Sequence, residues 1–240
     1  MKRALLPEFD GVEMDGLEFC FRTYRLFEQI RSQPHGPSAL RMRPTRREKL
    51  LLEELLPICK YVQCSYRPGR YMSVKWVDGA QSWDAEVFQH GAYVQHTYYP
   101  AHSYFEVTGV NHPNEHMMRE VLEKKGSAYG VKGLKRIEGE VVSDPVGYMN
   151  DENIVSFLEL LVEGLSKKLK KTYPPMTTLI VECSPGMFFI PTEWDELMTR
   201  FGKVVQVAPF SEIFVYDRGS QASRSFFAPP LDHPAALQMP

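Results

Sequence analysis

The sequence predicts an α/β fold, with a mixed central sheet flanked by helices. Three observations predict it. Segments with apolar residues at helical spacing alternate along the chain with short β-forming runs. Turn dipeptides, Asp78-Gly79 and His90-Gly91, punctuate those runs. One run, residues 177–182, is mostly apolar, as a central strand buried on both faces requires.

Residues 1–14 read as a loose leader. Leu17, Phe21, Tyr24, Phe27 and Ile30 recur at helical spacing and predict an amphipathic helix over 17–30. Pro34, Gly36 and Pro37 break it. Thr45 and Glu48 have capping-box spacing and open a helix over 48–62, which Pro57 should kink or break. Strands are expected over 71–77, 83–88 and 104–110, with a further strand over 92–98 pairing with 83–88. A helix follows over 116–125, then an irregular glycine-bearing stretch to 147 with one strand at 140–142. Asp151 or Asn153 caps a long helix that ends near Tyr173, where Pro174-Pro175 stops it. After the apolar strand, Pro185-Gly186 marks a turn, 191–201 a helix, and 204–207 and 213–216 two more strands. From Arg218 the chain is polar and proline-rich and reads as a flexible tail. The expected organisation is therefore a leader and helix over 1–40, one α/β domain over 41–217, and a tail over 218–240. No internal repeat interrupts it.

Composition limits the function classes. A hydrophobic content of 43% supports a full core, and a formal charge of -2 excludes a protein that coats nucleic acid by bulk charge. Phosphate contacts would have to come from local basic segments at 41–49, 124–136 and 167–171, each of which also suits a solvated face. The four cysteines show no CxxC pair and no disulfide-rich spacing, so reduced thiols and a cytoplasmic location are expected. No signal peptide is expected over 1–10, and no run of about 18 apolar residues suggests a membrane span. There is no P-loop, no dinucleotide-binding glycine signature and no GxSxG elbow.

The chemistry-bearing feature is a pair of acids. Residues 83–87 read Trp-Asp-Ala-Glu-Val and residues 104–108 read Tyr-Phe-Glu-Val-Thr. A carboxylate among such neighbours is costly to bury unless something pairs with it. A divalent cation shared by two acids is one solution, because hard cations take oxygen ligands. With the order helix, hairpin, Glu-Val-Thr strand, helix and apolar strand, residues 45–182 resemble the restriction-endonuclease-like, or PD-(D/E)XK, phosphodiesterases. The resemblance implies a metal-dependent nuclease. Asp84 and Glu106, with the main-chain carbonyl of Val107, would hold Mg²⁺ or Mn²⁺, and an acid from the first core helix would complete the site. It also implies nucleic acid as partner and, because many members are dimers, a homodimer, although no dimer stripe is evident. Trp83 replaces the family's usual proline. Thr108 occupies the position of the motif lysine and supplies no positive charge.

Helix periodicity indicates where that charge can come from. Ile154, Phe157, Leu158, Leu161, Leu165 and Leu169 form one stripe, and Lys168 falls on its edge, whereas Lys167, Lys170 and Lys171 point further round. Lys168 is thus the candidate replacement lysine, against the simpler reading of a solvated basic helix end. In the first core helix, Leu51, Leu52, Leu55, Ile58, Cys59 and Val62 define the stripe. Glu48 lies within it, with Glu53 and Glu54 off its centre. Glu48 is the candidate accessory acid, and its other role is the capping box. For Asp84 and Glu106 the competing reading is a solvated acidic face shared with Glu86.

Two alternatives stay open. Thr108 suits a catalytically degenerate module on the same fold that binds nucleic acid or a protein. His112-Pro113-Asn114-Glu115-His116 spells H-x-x-E-H, a zinc-hydrolase pattern, but Pro113 suits a first helical turn rather than a helix middle.

Overall fold

The computed structural model describes residues 5–147, 149–184 and 190–228. It is an α/β structure with a mixed seven-stranded sheet flanked by helices. The sheet order is β1 (Glu13–Asp15), β2 (Tyr71–Trp76), β3 (Ala85–His90), β4 (His102–Asn111), β7 (Thr177–Ser184), β8 (Glu212–Asp217) and β9 (Ser223–Phe227). β1 to β4 pair antiparallel, β4, β7 and β8 run parallel, and β9 returns antiparallel to β8. A separate hairpin joins β5 (Leu134–Ile137) and β6 (Glu140–Ser143), where a single strand was expected.

One face carries α1 (Gly16–Arg31) and the helical run from α3 (Arg46–Leu50) through a π-helical turn (Leu51–Leu55) into α4 (Leu56–Ser65). Phe19, Leu51, Leu55, Ile58 and Val62 from these helices pack on Val74, Trp76, Val87, Phe105 and Val107. The other face carries α7 (Asn150–Lys168) and α8 (Pro191–Val204). There Leu161, Leu165, Leu197 and Phe201 pack on Val110, Leu179, Val181, Ile213 and Val215. No residue of β2 or β3 enters this second core. Among the described residues, α7 and α8 therefore cover only the β4–β8 side of that face and leave the β2–β4 side open.

Several local expectations are corrected. Residues 5–14 are no loose leader: Leu6 and Phe9 are buried, Phe9 meets the Phe19 ring edge-on at 5.8 Å, and the segment ends in β1. The break at 33–38 opens a short helix, α2 (Gly36–Met42). Residues 92–98 form no strand. Gly91 has φ 111°, Tyr93 N–H donates to the Gly69 carbonyl at 2.9 Å, and the chain turns through the short helix α5 (Ala92–Gln95). α6 (Glu115–Lys125) matches its expectation. α7 ends at Lys168, not near Tyr173, and is entered through Met149. There the Met149 N–H donates to the Glu152 carboxylate at 3.4 Å, while Asp151 sits inside the first turn. Val204 closes α8, and residues 205–207 are not a strand. Ser223–Phe227, read as tail, is an edge strand of the main sheet, so the sheet takes both edge strands from outside 41–217. The Pro185-Gly186 turn lies outside the described residues. Among the described residues no helix is long and apolar enough to cross a membrane.

Candidate functional site

Asp84 lies one residue before β3, already in the ladder. Its N–H donates to the Phe105 carbonyl at 2.7 Å, and its carbonyl accepts from Val77 N–H at 3.0 Å. Ala85 pairs with Phe105, and the Asp84 N–H bonds that same Phe105 carbonyl, so the ladder bulges at Asp84 and strand alternation does not carry through it. Glu106, next to Phe105, points to the open-face side of the sheet. Asp84 Oδ2 also accepts the Val107 N–H at 2.7 Å, which ends the β3–β4 pairing with a carboxylate in place of a carbonyl.

Glu106 is buried, and Lys168 reaches it from the last residue of α7. Lys168 Nζ donates to Glu106 Oε1 at 2.5 Å and more weakly to the Val107 carbonyl at 3.4 Å. The stripe edge of α7 thus does aim this lysine at the pair. Thr108 follows two residues later on the same face of β4, where its hydroxyl is half-buried.

Glu48 does not join them. It is buried in the capping box, accepting from the Thr45 N–H at 3.0 Å and from the Thr45 hydroxyl. The helix-borne acid that faces the pair electrostatically is Glu54, in the π-helical turn, held by Trp76 Nε1–H at 2.9 Å. Sequence periodicity missed it for a physical reason. Leu56 N–H bonds to the Leu51 carbonyl, five residues back, and the wide turn delivers Pro57, which has no N–H to give, to the start of α4. That wider turn breaks the 3.6-residue phase that placed Glu54 off the stripe. Pro57 itself was the available signal. Tyr173 was missed as well, and nothing in the sequence marks it. Its ring packs on Phe210 at 4.6 Å, and its hydroxyl is buried near the acids.

The electrostatics are those of crowded acids. Burial, then Glu54 and Glu106, push the Asp84 carboxyl up to about 7, against the opposing Val107 N–H and Lys168. Glu54 is also raised, chiefly by burial, with Asp78 and Glu106 adding to it. The Tyr173 hydroxyl is pushed up to about 12 by burial, then by Glu106 and Asp84.

Among the described residues no group of three or more His, Cys, Asp or Glu side chains is arranged to hold a metal ion. The Asp84–Glu106 site offers two carboxylates and the Val107 carbonyl. This all-oxygen set suits Mg²⁺ or Mn²⁺, which keep water and substrate oxygens in their remaining positions. Repulsion among Asp84, Glu106 and Glu54 also gives a cation something to relieve. Those residues fit such an ion provided Lys168 Nζ moves off the Val107 carbonyl.

The H-x-x-E-H residues do not converge. His112 precedes α6 and its Nδ1 accepts from Asn114 N–H at 3.1 Å. Glu115 pairs with Arg218 at 3.0 Å, and His116 Nδ1 bonds the Pro113 carbonyl at 2.9 Å. The basic segments are spent largely on surface pairs, Arg41 with Glu123, Arg136 with Glu120 and Lys167 with Glu163. No protein-family model, no curated protein and no solved structure matches this chain.

Proposed function

We propose that the chain hydrolyses phosphodiester bonds of nucleic acid with a divalent metal ion, as a restriction-endonuclease-like enzyme. The observation that carries the reading is the 2.5 Å contact of Lys168 Nζ with Glu106, whose neighbour Val107 gives its N–H to the Asp84 carboxylate. It supplies, from α7, the positive charge that Thr108 cannot. Asp84, Glu106 and the Val107 carbonyl would hold Mg²⁺ or Mn²⁺. When bound, such an ion polarises a phosphoryl oxygen and activates water. Lys168, released from Glu106, sets its ammonium against the charge that develops on the phosphoryl group. Glu54 acts on the pair through its charge rather than as a third ligand, and the Trp76 N–H fixes its orientation.

A second reading has its own observation. Lys168 Nζ already spans Glu106 and the Val107 carbonyl, two of the three metal positions. A lysine that neutralises the acid internally suits a binding module without catalysis. Labelled single- and double-stranded DNA and RNA, incubated with Mg²⁺ or Mn²⁺, separate the two readings. Wild type is expected to cut at least one substrate, and Glu106→Ala to lose that activity by about 100-fold or more. Equal cutting by both proteins, or cutting by neither, leaves the binding module.

A further inference from the structure

The side of the sheet that carries Glu106 is covered by α7 and α8 only over β4–β8. Its outer part, formed by β2, β3 and the first half of β4, contributes no residue to the core under α7 and α8. The side chains that alternation sends to this open face are Tyr71, Ser73 and Lys75, then Glu86, Phe88 and His90, then His102 and Tyr104. None is aliphatic. The rings form a continuous chain. Phe88 and His102, cross-strand partners, stack at 4.8 Å with planes 5° apart. His102 meets Tyr104 at 4.8 Å, and Tyr104 meets Trp83 at 5.3 Å. Trp83 is the residue next to Asp84. Trp83, Phe88 and Tyr104 are half-buried, and His102 is exposed. The one acid of this outer patch, Glu86, is shared between Lys75 at 3.5 Å and His102 at 3.7 Å. Lys75 offsets the charge of Glu86, and His90 and His102 add imidazole rings to the patch.

We propose that this open face is a stacking platform for single-stranded nucleic acid. Unpaired bases lie on Phe88, His102, Tyr104 and Trp83, and the strand leads into the Asp84–Glu106 pair. The choice of polymer rests on the phosphodiesterase reading. The choice of a single strand rests on the face itself: π surfaces with no aliphatic lining suit exposed base planes, whereas duplex bases already cover one another. From Phe88 to Asp84 the strand rise gives roughly 13 Å, the length of a few nucleotides.

The test is binding in EDTA, where cleavage plays no part. Trp76 and Trp194 are buried, so Trp83 is the tryptophan open to quenching by a stacked base. Oligothymidylate and oligouridylate should quench it, and a duplex of the same length should not. By fluorescence anisotropy, Tyr104→Leu and Phe88→Leu should each weaken single-strand binding by about ten-fold or more, with melting checked for each variant. Trp83 quenching in the unmodified protein stands even where a variant folds poorly. Absence of single-strand binding, equal preference for duplex, or affinities unmoved by either substitution would overturn the platform. So would sedimentation showing a dimer that Tyr104→Leu dissociates, since a second copy would then occupy the face. Single-strand binding with no cleavage sinks the hydrolase and keeps the platform. Duplex cutting unaffected by Tyr104→Leu does the reverse.

Discussion

At Asp84 attraction and crowding compete, and crowding wins. The Val107 N–H and Lys168 favour its charged form, while burial and the nearby Glu54 and Glu106 raise its pKa to about 7. An acid raised on folding stabilises the fold below its unfolded pKa of about 4 and loses that contribution as pH climbs through about 7. Stability should therefore fall between about pH 4 and pH 7. Three pKa units correspond to about 4 kcal/mol at most, and partial solvent access reduces this to about 1–3 kcal/mol. Asp84→Asn keeps an acceptor for the Val107 N–H but carries no charge. It should be more stable than wild type at pH 8, with the difference closing at about pH 4, and it should not cut. Mg²⁺ should raise the wild-type melting temperature at pH 8 and leave that of the variant unchanged. Urea unfolding at the two pH values checks this, and a variant less stable than wild type at pH 8 would contradict the repulsion.

At the scale of elements, the helix before the hairpin decides which acid lies near Asp84 and Glu106. Glu48 is locked to Thr45 at a helix start, whereas Glu54 rides the π-helical turn beside Trp76. Glu48→Gln keeps the cap and should retain activity within about two-fold, because a glutamine completes the same capping box. Glu54→Gln keeps the Trp76 contact and should lower cleavage by about 10- to 100-fold, the scale on which groups supporting a metal site act. The opposite pattern in kcat would return the accessory role to Glu48. What was legible in the sequence follows from how regular each element is. Lys168 was found because α7 holds an undisturbed 3.6-residue phase from Ile154 to Leu165. Asp84 and Glu106 were found because each is an acid set in an otherwise strand-like run. Glu54 was hidden by one non-α turn, and residues 92–98 by β-forming tyrosines that a positive-φ glycine bends into a helix. β9 reads as tail because an edge strand with a solvated face has little apolar pattern to show.

At the scale of the whole molecule, that unrecognised strand predicts where the chain cannot be shortened. β9 pairs with β8 from Glu212 to Tyr216. Phe226 meets Phe201 edge-on at 5.1 Å, and the Ser225 hydroxyl donates to Glu212 at 2.6 Å. Just before it, Arg218 bonds Glu115 at 3.0 Å, Glu182 at 3.2 Å and the Ser184 hydroxyl at 2.7 Å. Glu182 and Glu115 are buried, and burial already raises the Glu182 pKa against the pull of Arg218. A chain ending at Asp217 would leave both acids without this partner, a loss of about 3–5 kcal/mol, and would bare the buried strand β8 as a new sheet edge. Against a total stability of about 5–15 kcal/mol, that chain should be insoluble or melt without a cooperative transition. Arg218→Ala in the full chain separates the causes, since it removes the ion pairs and keeps the strand. It should cost about 3 kcal/mol in urea unfolding and remain soluble. Cooperative melting of the Asp217-terminated chain within a few degrees of the full one would mean that β7 and β8 are held by α7 and α8 alone, and that β9 contributes little to the sheet it closes.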